Sequence, residues 1–204
     1  MLPLYLASAS PRRRELLHGM GVSFVVQAAD VDETELPGEA AADHVVRLAA
    51  KKAAAVAAAL RHRGLAALVL AADTTVTIDG AILGKPKDAG DALAMLRRLA
   101  GRRHDVITAC RLIRTDDGNT AAVIATTSVR FHPWNEERAR WYVATGEPMD
   151  KAGAYALQGR GALLSDGIDG SWSNVVGLPL ESLPGLFGEV GDDFMRRVEG
   201  SKSG

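Results

Sequence analysis

The chain has 204 residues, 47 % of them apolar, with 24 basic and 25 acidic side chains for a net charge of −1. That length and apolar fraction sustain one ordinary domain with its own core, and they exclude a disordered chain and a nucleic-acid binder working through bulk positive charge. A single cysteine, Cys110, permits no intrachain disulfide, which fits a reducing cytoplasm. The start lacks a signal-peptide pattern, and no apolar run nears the roughly 20 residues that span a bilayer.

The apolar run from Leu2 to Ala7 predicts a buried strand, and Ser10 before Pro11 sets an N-cap ahead of proline at the first helical position. Arg12, Arg13 and Arg14 then crowd the first turn of that helix, the positive end of its dipole, where cations are disfavoured. Such a turn suits an anion held by free backbone N–H groups, the Ser8 and Ser10 hydroxyls and guanidinium forks. Phosphate is the natural candidate, and a solvated basic turn is the alternative.

Gly19 and Gly21 stop the helix, and Ser23 to Gln27 returns as a strand. A polar loop follows with Asp30, Asp32, Glu33 and Glu35. An alanine-rich helix over 39–62 then places Val45, Val46, Leu48, Ala49 and Ala53 on its buried face. Leu68 to Ile78 is strand material, and Asp79-Gly80 is a hairpin turn into Ala81 to Leu83. Asp88 caps a helix that stops at Gly101, and two long strands, 105–114 and 121–131, meet at Asp117-Gly118. Asn135 opens a short helix ending near Gly146. A glycine-rich segment covers 151–161, further strand and turn follow, and a helix over 179–190 closes the fold before a frayed tail at 201–204. Helices mixed with antiparallel hairpins predict an α/β or α+β fold on a mixed sheet, as one domain over 1–200.

Several residues stand out against this frame. Asp73 interrupts an apolar, β-branched run, where a carboxylate must be paired, hydrogen-bonded or bound to metal, or else escape to solvent at a bulge or strand break. Lys85 sits in a Gly84-Lys85-Pro86 turn, a common surface form that also lets backbone approach a ligand. Of Lys51 and Lys52, one can turn inward towards an anion, although lysines on such a helix are generally solvated. Glu33 is either solvated charge or an oxygen ligand for Mg²⁺ beside phosphates. Gln158 can read the N3–H and carbonyl edge of a pyrimidine or satisfy loop backbone as a buried amide. Gly159-Arg160-Gly161 lacks the spacing of a dinucleotide fingerprint, Cys110 reads as a buried strand thiol, and the scattered histidines have no zinc-ligand spacing.

The ordered set Leu6-Ala7-Ser8-Ala9-Ser10-Pro11-Arg12-Arg13, Val45-Val46-Arg47-Leu48-Ala49 with Lys52-Ala53, Ala72-Asp73-Thr74, Gly84-Lys85-Pro86, His104-Asp105-Val106-Ile107-Thr108, 150–159 and Val176-Gly177-Leu178-Pro179-Leu180 resembles the Maf family of nucleoside triphosphate pyrophosphatases, also known as septum-formation inhibitors. The resemblance implies an elongated, two-lobed α/β fold, a mixed twisted sheet flanked by helices, with a central cleft as in inosine triphosphatases, and a homodimer. It implies hydrolysis of a nucleoside triphosphate between the α and β phosphates, dependent on Mg²⁺ or Mn²⁺, in the cytoplasm and with no nucleic-acid or membrane partner. It makes Asp73 the proton acceptor or else a metal ligand, and it assigns phosphate and metal binding to Ser8, Ser10, Arg13, Glu33, Lys52 and Lys85, with Glu33 at the metal. Arg12, Thr74 and Gln158 match the specificity positions of the subgroup acting on dTTP and UTP. The subgroup resembling 7-methyl-GTP pyrophosphatases has glutamate where this chain has Gln158. Thr75 departs from the family's usual aliphatic residue and puts the local strand packing in question. The rival expectations are a purine or modified-nucleotide pyrophosphatase and a non-catalytic nucleotide-binding regulator of cell division.

Overall fold

A computed structural model describes residues 1–200; the tail at 201–204 lies outside the described residues. Seven strands form one mixed sheet: β1 (Leu4–Leu6), β2 (Val25–Val26), β3 (Leu68–Ile78), β4 (Ala81–Leu83), β5 (Arg103–Arg114), β6 (Thr120–Phe131) and β7 (Ser165–Asp169). Their order is β2-β1-β3-β5-β6-β7, with β4 paired to β3 as a hairpin. β1 runs parallel to β2 and to β3, and every later pairing is antiparallel. The β3–β4 turn has both Asp79 and Gly80 at positive φ, 54° and 76°, the geometry that matches strand twist in a two-residue hairpin.

Helices cover both faces. α1 (Pro11–Gly19), α6 (Leu183–Glu189) and α7 (Phe194–Glu199) bury Leu16, Leu17, Leu186 and Phe187 against Leu68, Leu70 and Ala72. α2 (Ala41–His62) packs on the opposite face against Val69 and Ala71, as strand alternation requires. α3 (Ala89–Leu99) and α4 (Glu136–Ala144) build a further core with Val76, Ile78 and Phe131 at the far end of β3. β3 thus serves three apolar cores, two on opposite faces of its first half and one at its far end, and Asp73-Thr74-Thr75 lies between the first two and the third. No register shift interrupts the pairing of β3 with β5 from Leu68 to Thr77, so Asp73 sits at neither a bulge nor a strand break. Thr75 is buried opposite Ile107 in the same unbroken ladder.

Some boundaries move. Val46 is exposed, because it lies one step off the stripe of Val45, Leu48, Ala49, Ala53 and Val56 that faces the sheet. The closing helix begins as a 3-10 turn, Leu180–Ser182, and becomes α-helical only at Leu183, with Pro184 in the first turn, where its missing N–H costs nothing. A short helix, α5 (Trp172–Val176), occupies part of the region expected as strand and turn. Among the described residues, no helix is long and apolar enough to cross a membrane.

Candidate active site

The chain leaves β1 towards α1 and β2 on one side, whereas β3 continues to β4 and β5 on the other. The carboxyl ends of β1 and β3 therefore flank a switch point, where open α/β sheets form their ligand crevice. A cleft of about 490 Å³ opens there. Its walls include Ser8, Ser10, Arg12, Arg13, Glu33, Lys52, Asp73, Thr74, Lys85 and Gln158, so residues spread over 150 positions of sequence meet in one place.

At its floor lies a three-membered ion-pair cluster. Asp73 follows the parity of Val69 and Ala71 towards α2, where Lys52 meets it on the same buried stripe as Leu48, Ala49 and Val56. Lys52 Nζ donates to Asp73 Oδ1 at 2.6 Å, and each residue is only 8 % exposed. The same ammonium reaches Glu33 Oε1 at 2.7 Å. Asp73 Oδ2 has no hydrogen-bond partner among the described residues. Lys51, one step away, is exposed.

Glu33 belongs to a polar loop with no secondary structure of its own, so its placement depends on anchors. Arg47, on α2, donates to the Thr34 carbonyl at 3.0 Å and grips Glu39, whose carboxylate also accepts from the Leu36 N–H. Burial alone would raise the Glu33 carboxyl; the hydrogen bond and charge of Lys52, with Lys85 and Arg13 behind it, bring it below the ordinary range.

Arg13 is a buried guanidinium with a different task from that of a free phosphate fork. Its Nε donates to the Gly177 carbonyl at 2.7 Å, Nη1 to Ser8 Oγ at 3.1 Å and Nη2 to Thr74 Oγ1 at 2.9 Å. Burial lowers its pKa against the opposing pull of Asp73. Behind it the hydroxyls form a directed chain. Thr108 donates to the Asn174 carbonyl at 3.0 Å, so the 2.9 Å contact between Thr74 and Thr108 carries the Thr74 proton. Thr74 therefore presents only a lone pair to the cleft. Ser10 has N-cap backbone geometry but its hydroxyl makes no cap bond; instead its N–H donates to Ser8 Oγ at 3.2 Å, and the Ser10 hydroxyl is left for the cleft.

The far wall comes from the glycine-rich segment and the β4–α3 turn, joined by the Gly153 N–H on the Gly84 carbonyl at 3.0 Å. Lys85 stands exposed on that turn with no ion pair among the described residues. Arg12 spans the cleft to Asp150 at 3.0 Å. Asp150, Gly177, Thr108 and Asn174 were not singled out as site residues from sequence. Asp150, Gly177 and Thr108 lie within segments that were, whereas Asn174 lies outside them; Thr108 and Asn174 are fully buried polar side chains, and a polar type within an apolar stretch is the signal that could have found those two.

The donor set also bears on metal. Two carboxylates converge on one ammonium, and the described residues contain no group of three or more His, Cys, Asp or Glu able to hold an ion. This fits Mg²⁺ or Mn²⁺ bound through one or two carboxylates with water and substrate phosphates completing the shell, and it does not fit a closed protein cage. Glu33 and Asp73 are the residues that could hold such an ion.

A dTTP/UTP pyrophosphatase of Burkholderia pseudomallei (strain 1710b) is 55 % identical over 184 residues, covering 87 % of this chain and 88 % of that one. Proteins of the same name from Myxococcus xanthus and Oleidesulfovibrio alaskensis are 51 % and 50 % identical, covering 92 % and 89 % of this chain and 92 % and 82 % of their own lengths. A solved dITP/XTP pyrophosphatase structure from Mycobacterium abscessus superposes with a TM-score of 0.37 at 19 % identity, over 64 % of this chain and 74 % of that one, too loose a likeness to bear on either fold or site. The family model described as Maf-like protein matches residues 3–190, and the chain belongs to the Maf family.

Proposed function

We propose that this chain hydrolyses dTTP and UTP between the α and β phosphates, giving nucleoside monophosphate and pyrophosphate. The observation that supports the reading most is the cleft itself. A buried, lysine-paired carboxylate with one free oxygen faces groups suited to phosphate, in a chain about half identical to relatives named for that activity.

Ser8, Ser10 and Lys85 hold the triphosphate, with Arg13 keeping Ser8 in position. Asp73 Oδ2 accepts a hydrogen bond from a water and aims its oxygen at the α-phosphorus. As the new P–O bond forms, the bond from the α-phosphorus to the bridging oxygen breaks, its electron pair leaves with pyrophosphate, and the water's proton passes to Asp73. Lys52 and Lys85 take up charge developing on the phosphate oxygens. Glu33, with Asp73, would hold Mg²⁺ or Mn²⁺, which would further neutralise those oxygens. Arg12 and Gln158 address the base, which orders the substrates as UTP and dTTP before CTP. In this reading the protein works as a cytoplasmic homodimer.

The test is product analysis on a nucleoside triphosphate panel with Mg²⁺ and with Mn²⁺, separating pyrophosphate from orthophosphate. Monophosphate plus pyrophosphate from UTP and dTTP, abolished in Asp73→Asn with nucleotide affinity retained, is the expected result. Nucleotide binding without turnover in the wild type would replace catalysis by nucleotide sensing.

A further inference from the structure

The Gly159-Arg160-Gly161 sequence has no dinucleotide role, yet its backbone is closely held. The holder is Glu147, in a 3-10 turn after α4 (Glu147–Asp150) and outside the residues that line the cleft. Its Oε1 accepts from the Gly161 N–H at 3.0 Å and from the buried Tyr142 hydroxyl at 2.9 Å, and its Oε2 accepts from the Arg160 N–H at 3.0 Å. Tyr142 Oη in turn accepts from the Ala156 N–H at 3.3 Å. One Tyr–Glu pair thus fixes the backbone on both sides of Gln158, two residues before it and two and three residues after it.

The glycines follow from that closeness. A Cβ at Gly159, where φ is +69°, would come within 2.9 Å of Glu147 Oε2. One at Gly161 would meet the Ala156 carbonyl at 2.2 Å and Tyr142 Oη at 2.6 Å. The carboxylate is also held in its ionised form: burial would raise it, and the Gly161 and Arg160 N–H groups with the Tyr142 hydroxyl bring it below the ordinary range. Glu147 is therefore a charge-assisted clamp on the segment that carries Gln158.

We propose that Glu147, acting with Tyr142, is the positioning residue for base selection: it sets the backbone that carries Gln158 to the cleft, without touching substrate. The inference rests on the reading of Gln158 as the base-facing residue. A clamp of this kind governs how well the pyrimidine edge is met and leaves the phosphate chemistry at Asp73 in place.

The test compares Glu147→Gln, Tyr142→Phe, Gln158→Ala and the Glu147→Gln/Gln158→Ala double variant. The readouts are kcat and KM for UTP, dTTP and CTP, nucleotide affinities by calorimetry, and amide exchange over residues 156–161. Glu147→Gln keeps the side-chain shape but turns an amide donor towards backbone N–H groups. The expected result is a KM for UTP and dTTP raised about tenfold, equivalent to about 1.4 kcal/mol, with kcat nearly unchanged and a smaller change for CTP. Exchange at 160 and 161 accelerates, Tyr142→Phe moves the same way by less, and the double variant is no less selective than Gln158→Ala alone. A uniform loss over all three nucleotides, or unchanged exchange in Glu147→Gln, overturns the proposal. If Gln158→Ala alters base preference and Glu147→Gln does not, the clamp role fails and the reading of Gln158 survives. Base preference unchanged in Gln158→Ala removes both. A wild type that turns over nothing removes the proposed reaction, and the affinity panel then decides the clamp by the same criteria.

Discussion

Replacing Lys52 by methionine tests the cleft floor as a charge cluster rather than as a set of separate side chains. Its ammonium is the shared partner of Asp73 at 2.6 Å and Glu33 at 2.7 Å. The side chains of Lys52 and Asp73 are 10 % and 11 % exposed, whereas Glu33 is 50 % exposed. Removing one partner of a buried pair costs about 3–5 kcal/mol because the other charge stays buried. The contribution of half-exposed Glu33 is discounted to below about 1 kcal/mol by solvent screening. Lys52→Met should therefore lose about 3 kcal/mol, and at about 2–4 °C per kcal/mol for a chain of this size the melting temperature falls on the order of 10 °C. Asp73→Asn costs less, about 2 kcal/mol, since Glu33 still accepts from Lys52. The double variant Lys52→Met/Asp73→Asn removes both charges of the buried pair, and it should be more stable than Lys52→Met alone, with a coupling of at least about 2 kcal/mol. Thermal unfolding of the four proteins at neutral pH measures this. Single-variant losses that simply add, within about 0.5 kcal/mol, would refute the pairing.

Two further predictions concern buried titratable groups. His104 lies between Phe131 and Tyr155, its Nε2 2.8 Å from the Tyr155 hydroxyl, and burial lowers its pKa to about 4 from 6.5. The unfolded chain binds the extra proton first, so stability is complete above pH 6.5 and falls as the pH drops towards 4. Between pH 7 and 5 the loss is about 2 kcal/mol, and His104→Gln, melted over the same range, should lose clearly less; an equal slope in both proteins would contradict the assignment. Burial pushes the Cys110 thiol up to about 12, so iodoacetamide should label it in denaturant and leave it untouched in the native protein, and rapid native labelling would show that strand β5 opens.

The elements legible in the sequence are those with local chemistry of their own. Ser10-Pro11 starts α1, Asp79-Gly80 makes the hairpin, and Asn135 caps α4 by accepting from the Arg138 N–H at 3.0 Å. α5 has one local signal, the Ser171 hydroxyl that accepts from the Asn174 N–H at 3.1 Å, but its five residues include two valines and show no helical period, so the helix was not legible. It is set by tertiary contacts: Asn174 Nδ2 donates to the Val106 carbonyl at 3.1 Å and to Thr127 Oγ1 at 2.9 Å, reaching β5 and β6 from a position no local propensity specifies. Val46 misled for the opposite reason. It is apolar, and only its phase relative to Val45 and Leu48 shows that it faces outward.

The same phase argument separates the two lysines. Position 52 falls on the α2 stripe of 45, 48, 49, 53 and 56, and position 51 falls off it, so a lysine there must meet a carboxylate or carry an unpaired charge into the sheet. The parity of β3 sends Asp73 to that face and Thr74 to the other, where Arg13 and Thr108 receive it. Periodicity therefore fixes which side chains must find polar partners. It does not fix which partners they find, because Lys52–Asp73 and Arg13–Gly177 span 21 and 164 residues. Glu33 is the extreme case. Nothing in its loop distinguishes it from Asp32 or Glu35, and it reaches Lys52 because Arg47 anchors the carbonyl of the next residue. A carboxylate held through a neighbour's backbone is a tertiary property, and changing Arg47 should release Glu33 from the cleft while leaving the Lys52–Asp73 pair in place.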